Sequence, residues 1–322
     1  MNYVGIQTQI RRNTFRSVLM LVLFPCVILV LTWLGVYLFN LLEYGALKEE
    51  FNFYPLHQSA IDFIKIAPWV VGICLIWFVI AYFSHSTIIN KATSARPLER
   101  RNNKRIYNLV ENVCIASGMQ MPKVNIIEDN SLNAYASGIN KKNYTVTLSR
   151  GIIEKLDDRE LEAVIAHELS HIKNHDVKAM MVSIIFVGIF SFLTQFLSRI
   201  LINRSRYSSN RDSKGGGAIL LILLILVLAV IGYSITILMK LAISRKREYM
   251  ADAGSAEMTK NPQALASALR KISEDPLIEA VEQNDVAQLF IANPRKKGAS
   301  FLNELFATHP PIEKRIAFLE QL

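Results

Sequence analysis

Three cysteines in 322 residues are too few to form a disulfide scaffold. Cys26 and Cys74 fall in apolar runs and Cys114 stands alone in a more polar part, so no thiolate metal pattern exists and a reducing compartment fits. Charge is also missing from long stretches. Ser17–Leu42, Ile66–Phe83, Ala179–Ser198 and Gly215–Met239 hold no Asp, Glu, Lys or Arg, although 20% of the chain is charged and 51% is hydrophobic. Each is of the length that crosses a hydrocarbon core as a helix, which takes about 20 apolar residues. The first follows Arg11, Arg12 and Arg16 like a signal peptide. No small-residue cleavage site follows it, so it reads as a retained anchor. The second is the shortest, with Pro68 near its start, where a proline in the first helical turn costs little.

Lys and Arg flanking the runs set an orientation. The N-terminal tail is basic, whereas residues 43–65 carry Glu43, Glu49, Glu50 and Asp62 against Lys48 and Lys65. The N-terminus is therefore expected inside, together with the basic segments at 91–105 and 240–247. The loop holding Arg204, Arg206, Arg211 and Lys214 disagrees. It leaves open a hairpin over 179–240 that dips into or lies on the membrane, and either arrangement returns the chain to one side. The basic run at 91–105 lacks aromatic interleaving and any groove-reading motif, which excludes nucleic acid as a partner. Anionic headgroups beside a span account for it and for much of the net charge of +9.

The remaining sequence reads as α+β, mainly α. "IYNLVENVCIASGM" has helical spacing, "KVNIIED" and "YTVTLSRGII" alternate like strands, and "DDRELEAVIAHELSHIKNH" is a helix with Asp157 and Glu160 as a capping-box-like pair. Its apolar stripe is Leu161, Val164, Ile165, Leu169 and Ile172, and it runs almost directly into the third apolar run. Further helices follow at "SRKREYMADAGSAEMT", at "NPQALASALRKI" with Asn261 as cap, and after Pro310 and Pro311. The layout predicts a membrane region over 1–90 with helices at about 18–41 and 66–85. Residues 91–178 and 241–322 then form two parts of one domain around the 179–240 hairpin.

"VIAHELSHIKNHD" concentrates three of the six histidines. Composition alone yields roughly 0.006 His-Glu-x-x-His matches in such a chain, so chance is disfavoured. His167 and His171 lie one turn apart on one helix face, where both rings can reach one ion, and Glu168 can reach a water on it. A third histidine ligand would be needed at position 177, which is Val177, and a helix-breaking glycine at 174, which is Asn174. His175 lies about 12 Å along an unbroken helix from His167, too far to share an ion. The alternative is a distant glutamate. Glu248 in "REYMAD" can complete a His₂Glu site, and Asp252, four residues on, can accept the ring N–H of a ligand histidine.

Together "HELSH", "EYMAD", "NAYASG" and "THPP" resemble the HtpX-like membrane zinc metallopeptidases, gluzincin relatives of the CAAX prenyl protease, from about Arg96 to the end of the chain. The resemblance implies a zincin-like protease domain fused to about four transmembrane helices and one Zn²⁺ per chain. It makes Glu168 the general base, His167, His171 and Glu248 the ligands, and Asp252 the residue that orients His167. Asn133 and Ala134 would hold substrate backbone, and His309 would steady the oxyanion. It further implies an integral, multi-pass protein of the bacterial inner (cell) membrane with its catalytic domain in the cytoplasm. There it would cut membrane proteins or unfolded polypeptides in quality control and the stress response. A CAAX-type prenyl-peptide protease and a non-catalytic zinc-containing scaffold are the alternatives. A transporter is disfavoured by the absence of charge in the four runs.

Overall fold

The computed structural model describes residues 6–45, 54–207, 216–241, 246–273 and 310–322. In chain order the elements are α1 (Ile6–Gly45), α2 (Tyr54–Ala92), β1 (Arg96–Pro97), α3 (Lys104–Ser117), β2 (Lys123–Ile127), β3 (Ala134–Ser137) and β4 (Thr145–Ser149). After these come α4 (Arg150–Lys155), α5 (Asp158–Lys173), α6 (Asp176–Tyr207), α7 (Gly216–Leu241), α8 (Lys246–Thr259), α9 (Pro262–Ile272) and α10 (Ile312–Leu319). They group into two compact units. One draws on Met1–Ser17, Ser84–Ile184 and Leu241–Leu322, the other on Val18–Phe83 and Ile185–Lys240.

The second unit is helical. Among the described residues four helices are long and apolar enough to cross a membrane, over Ser17–Leu42, Pro55–Ala92, Asp176–Ile202 and Ile219–Ile237. Phe24 of α1 stacks on Phe186 of α6 with ring centroids 3.9 Å apart, and Phe78 of α2 lies 5.9 Å from the same ring. Gly232 of α7 lets α6 approach closely, since a Cβ there would meet the ring of Phe190. The second span differs from the expected one. α2 begins at Tyr54, so Pro68 lies in its interior, and Asp62 and Lys65 belong to the same continuous helix. The helix tolerates these charges because they find local partners: Gln58 donates to Asp62 at 3.1 Å, Asn40 of α1 reaches it at 3.5 Å, and Lys65 pairs with it at 3.5 Å. An interior proline forfeits one backbone hydrogen bond, and the rest of α2 carries that loss. The stretch of α2 from Ile66 to Asn90 is free of Asp, Glu, Lys and Arg, and Lys91 follows in its last turn.

In the first unit a four-stranded sheet runs in the order β1-β2-β4-β3, with β2 and β4 parallel and the other pairs antiparallel. β3, the "AYAS" of "NAYASG", is thus an edge strand. Val124, Val146 and Leu148 from the sheet, Ile106 and Val110 from α3, and Leu161, Val164, Ile165 and Leu169 from α5 form a core at most 3% exposed. Burying a side chain of this size contributes about 1.5–3 kcal/mol. α5 starts at a complete capping box. Asp157 accepts the N–H groups of Arg159 and Glu160 at 2.9 Å, and Glu160 accepts that of Asp157 at 3.0 Å. α9 is capped by Asn261 with Pro262 at its first position. α5 does not pass unbroken towards α6. It stops at Asn174, and His175 adopts a left-handed φ of 60°, which turns the chain so that His175 is not on the helix of His167.

Two consecutive crossings by α6 and α7, if both are made, would return the chain to its starting face. In a variant whose three native cysteines are replaced, a cysteine at Ser209 is expected to label from the face opposite to a cysteine at Glu257. Labelling of both from one face would mean that the hairpin does not cross.

Candidate metal centre and active site

Two helices present the polar side chains of the site because matched positions face each other in antiparallel order. On α5, Ala163, His167, Ser170 and His171 lie along one face, and on α8 so do Glu248, Asp252 and Ser255. The contacts run in step: Ser255 donates to the Ala163 carbonyl at 2.6 Å, Asp252 lies 3.0 Å from His167 Nδ1, and Glu248 lies 3.6 Å from His171 Nε2. Gly254 makes the approach possible, because a Cβ there would lie 2.5 Å from the Ser170 hydroxyl oxygen and 3.0 Å from its Cβ.

The result is a convergence of His167, His171 and Glu248 whose ligand atoms lie within 4.8 Å of one another. The two Nε2 atoms are 3.2 Å apart, and Glu248 oxygens lie 3.8 Å and 3.6 Å from them. A tetrahedral ion with bonds of 2.0–2.1 Å needs donors about 3.3 Å apart, so the set fits with small adjustment. Charge fits as well. Glu168, Asp176, Glu248 and Asp252 are four carboxylates at most 6% exposed. Among the described residues the guanidiniums facing them are those of Arg247 and Arg315, a difference of two charges that one divalent cation matches. Three protein donors leave a fourth position for water or substrate, the pattern of catalytic rather than structural zinc.

Each histidine has its own carboxylate. Asp252 takes the Nδ1 side of His167, and Asp176 lies 3.2 Å from Nδ1 of His171. Burial, reinforced by Arg315, pushes the His167 pKa down to about 4. Burial opposes protonation of His171 too, but the hydrogen bond to Asp176 and the charge of Glu248 push its pKa up to about 9. Burial raises Glu168 to about 7, with Glu248 adding and His171, the Ala136 N–H and Arg315 opposing. Asp252 is held below the usual carboxylate range against the effect of burial, chiefly by Arg315.

Arg315, which the sequence reading did not single out, is fully buried. It grips Asp252 through Nε at 2.9 Å and Nη2 at 2.7 Å, reaches Glu248 at 3.5 Å, and lies against the His167 ring, 3.4 Å and 3.3 Å from its two nitrogens. A signal was present in the sequence, because Arg315 lies on the apolar face of α10 with Ile312 and Leu319. Asp176 and the backbone of Ala136 carried none, since the first depends on the turn at His175 and the second on how β3 and α5 meet. β3 packs on α5, and the Ala136 N–H bonds Glu168. Alternation along the β3–β4 ladder points Ala134 away from β4 on the same side. Asn133 is buried just before β3, its side-chain oxygen accepting the Ala134 N–H at 2.9 Å. His309 lies outside the described residues. His175 is part-buried, its Nδ1 3.5 Å from the Thr14 hydroxyl.

Residues 100–322 match peptidase family M48. Over the full length of both chains the sequence is 60% identical to the protease HtpX homolog of Bacteroides fragilis. It is 36% identical over 293 residues to that of Dictyoglomus thermophilum, covering 90% of this chain and 91% of the other. Among solved structures, S. mikatae Ste24p aligns with a TM-score of 0.43 and 22% identity, over 88% of this chain and 61% of that one.

Gly254→Val is expected to separate α8 from α5, costing about 1–3 kcal/mol of stability and weakening divalent-metal binding. The smaller Gly254→Ala change should be rescued by Ser170→Gly, which removes the group it strikes. Thermal unfolding and metal titration of the single and double variants check this, and an innocuous Gly254→Val would refute the close-approach argument.

Proposed function

The chain belongs to peptidase family M48 and is a membrane metalloprotease of the HtpX type, and we propose that it is a zinc endopeptidase that cuts membrane proteins, misfolded or damaged ones above all, on the cytoplasmic face of the membrane. The observation that carries this reading is the convergence of His167, His171 and Glu248 with Glu168 beside them in a buried pocket rich in carboxylates. The cytoplasmic placement rests on the Lys and Arg flanking the spans. The choice of membrane proteins as substrates rests on α5 and α8 being chain neighbours of two apolar helices.

His167, His171 and Glu248 would hold one zinc ion per chain. When bound, the ion supplies a Lewis acid for the peptide carbonyl and lowers the pKa of water to about 7. Asp252 fixes the ring of His167 so that its Nε2 lone pair faces the cage. Glu168 takes a proton from the attacking water and delivers it to the leaving amine. Burial keeps its pKa near neutrality, which suits both transfers, and a neighbouring cation moves it down towards the ionised base. The outward edge of β3 at Ala134 and Ala136, with Asn133 at its start, offers backbone groups to an extended substrate strand. His309 is assigned to the oxyanion.

Zinc content and cleavage of casein by detergent-purified protein test this reading. Wild type and Glu168→Gln are both expected to hold about one zinc per chain, with cleavage in the variant lower by on the order of 10²–10⁴-fold. Equal cleavage by the two would favour the scaffold reading, and absence of zinc from both would remove the site.

Zinc binding should also depend on pH. His171 binds metal only when unprotonated, and its pKa of about 9 means that a proton must leave below that pH. Affinity should therefore fall on the order of ten-fold per pH unit on acidification below about 9. Chelator competition at about pH 6 and about pH 8, with proton release measured by calorimetry, checks the sign, and a flat profile would contradict it.

A further inference from the structure

We infer that Asp176, the first residue of α6, is a positioning residue for His171, doing for that ligand what Asp252 does for His167, and that it thereby ties the metal cage to the start of a candidate membrane span. The inference rests on the zinc-site reading above. An acidic residue at a helix N-terminus is favoured in any case by the helix dipole. Asp176 goes beyond that role in three respects. It is 1% exposed, its Oδ2 lies 3.2 Å from Nδ1 of His171, and its backbone carbonyl and Oδ1 face Arg247 Nη1 at 3.4 Å and 3.9 Å.

Arg247 directly precedes Glu248, so one aspartate touches both the second histidine ligand and the element that bears the third ligand. The break after α5 makes this possible. With His175 at φ 60° the chain turns, and the Asp176 side chain lies beside a residue five positions earlier. A carboxylate on the far nitrogen fixes the tautomer with Nε2 free for the ion, holds the ring's rotation, and makes the imidazole a better donor. Asp252 is backed by Arg315 in the same way.

The test is zinc affinity, measured by chelator competition on full-length protein in detergent, for Asp176→Ala and the isosteric Asp176→Asn. Helix content is followed by circular dichroism, and the ligand field by the visible absorption of the cobalt(II)-loaded protein. Asp176→Asn is expected to bind zinc 10–100-fold more weakly with unchanged helix content and an altered cobalt spectrum. Asp176→Ala should lose at least as much. If the alanine variant fails to fold, the asparagine variant decides alone. Wild-type affinity and spectrum in Asp176→Asn would overturn the inference while leaving the metal site standing. Absence of zinc from the wild type would instead overturn the reading on which it rests.

Discussion

Antiparallel contact between α5 and α8, close enough that a glycine is required at Gly254, is the constraint from which the site follows. At that distance the Ala163 carbonyl, His167 and His171 of one helix meet Ser255, Asp252 and Glu248 of the other in step. Neither helix could present this face to an apolar core. Each supplies partners for the other's buried polar atoms, and this mutual satisfaction makes the arrangement tolerable in a low-dielectric interior. The remaining contacts of α5 serve to hold it still. Glu160 bonds Ser267 and Lys271 of α9 at 2.7 Å, and the apolar stripe seals its other side against the sheet and α3.

Burying so much charge carries its own cost, and the fold meets it in pairs. Arg315 lies against Asp252 and Glu248, and Arg247 against Asp176. Removing one member of such a pair leaves an uncompensated buried charge, worth about 3–5 kcal/mol of instability. The C-terminal helix α10 is consequently part of the site, although it contributes no candidate ligand. The same field sorts the titrating groups. Arg315 keeps Asp252 ionised and joins burial in keeping His167 neutral, while Asp176 and Glu248 draw positive charge onto His171.

Local features proved legible from sequence where they depend on spacing within one element. The capping box at Asp157, the buried stripe of α5, the cap at Asn261 and the pairing of His167 with His171 are set by periods of three and four residues, which a helix converts directly into contacts. The reading was less accurate where composition stood in for geometry. Absence of charge located the apolar part of α2 but not its beginning at Tyr54, because Asp62 and Lys65 find partners one turn away and on α1. The helix through His171 was read as continuing, and the left-handed turn at His175 was invisible because no glycine or proline marks it.

The sequence by itself determined which helices form, which of their faces are apolar, and that two histidines one turn apart stand beside a glutamate. All of these arise from contacts between residues a few positions apart. Tertiary structure alone decided that Glu248 completes the cluster, that Arg315 and Asp176 support it, and that the edge of β3 borders Glu168. Those pairings join segments separated by as many as 148 positions, as for His167 and Arg315. Only the packing of α5 against α8 and the sheet, and of α10 against α8 and α9, driven by burial of their apolar faces, brings them within bonding distance.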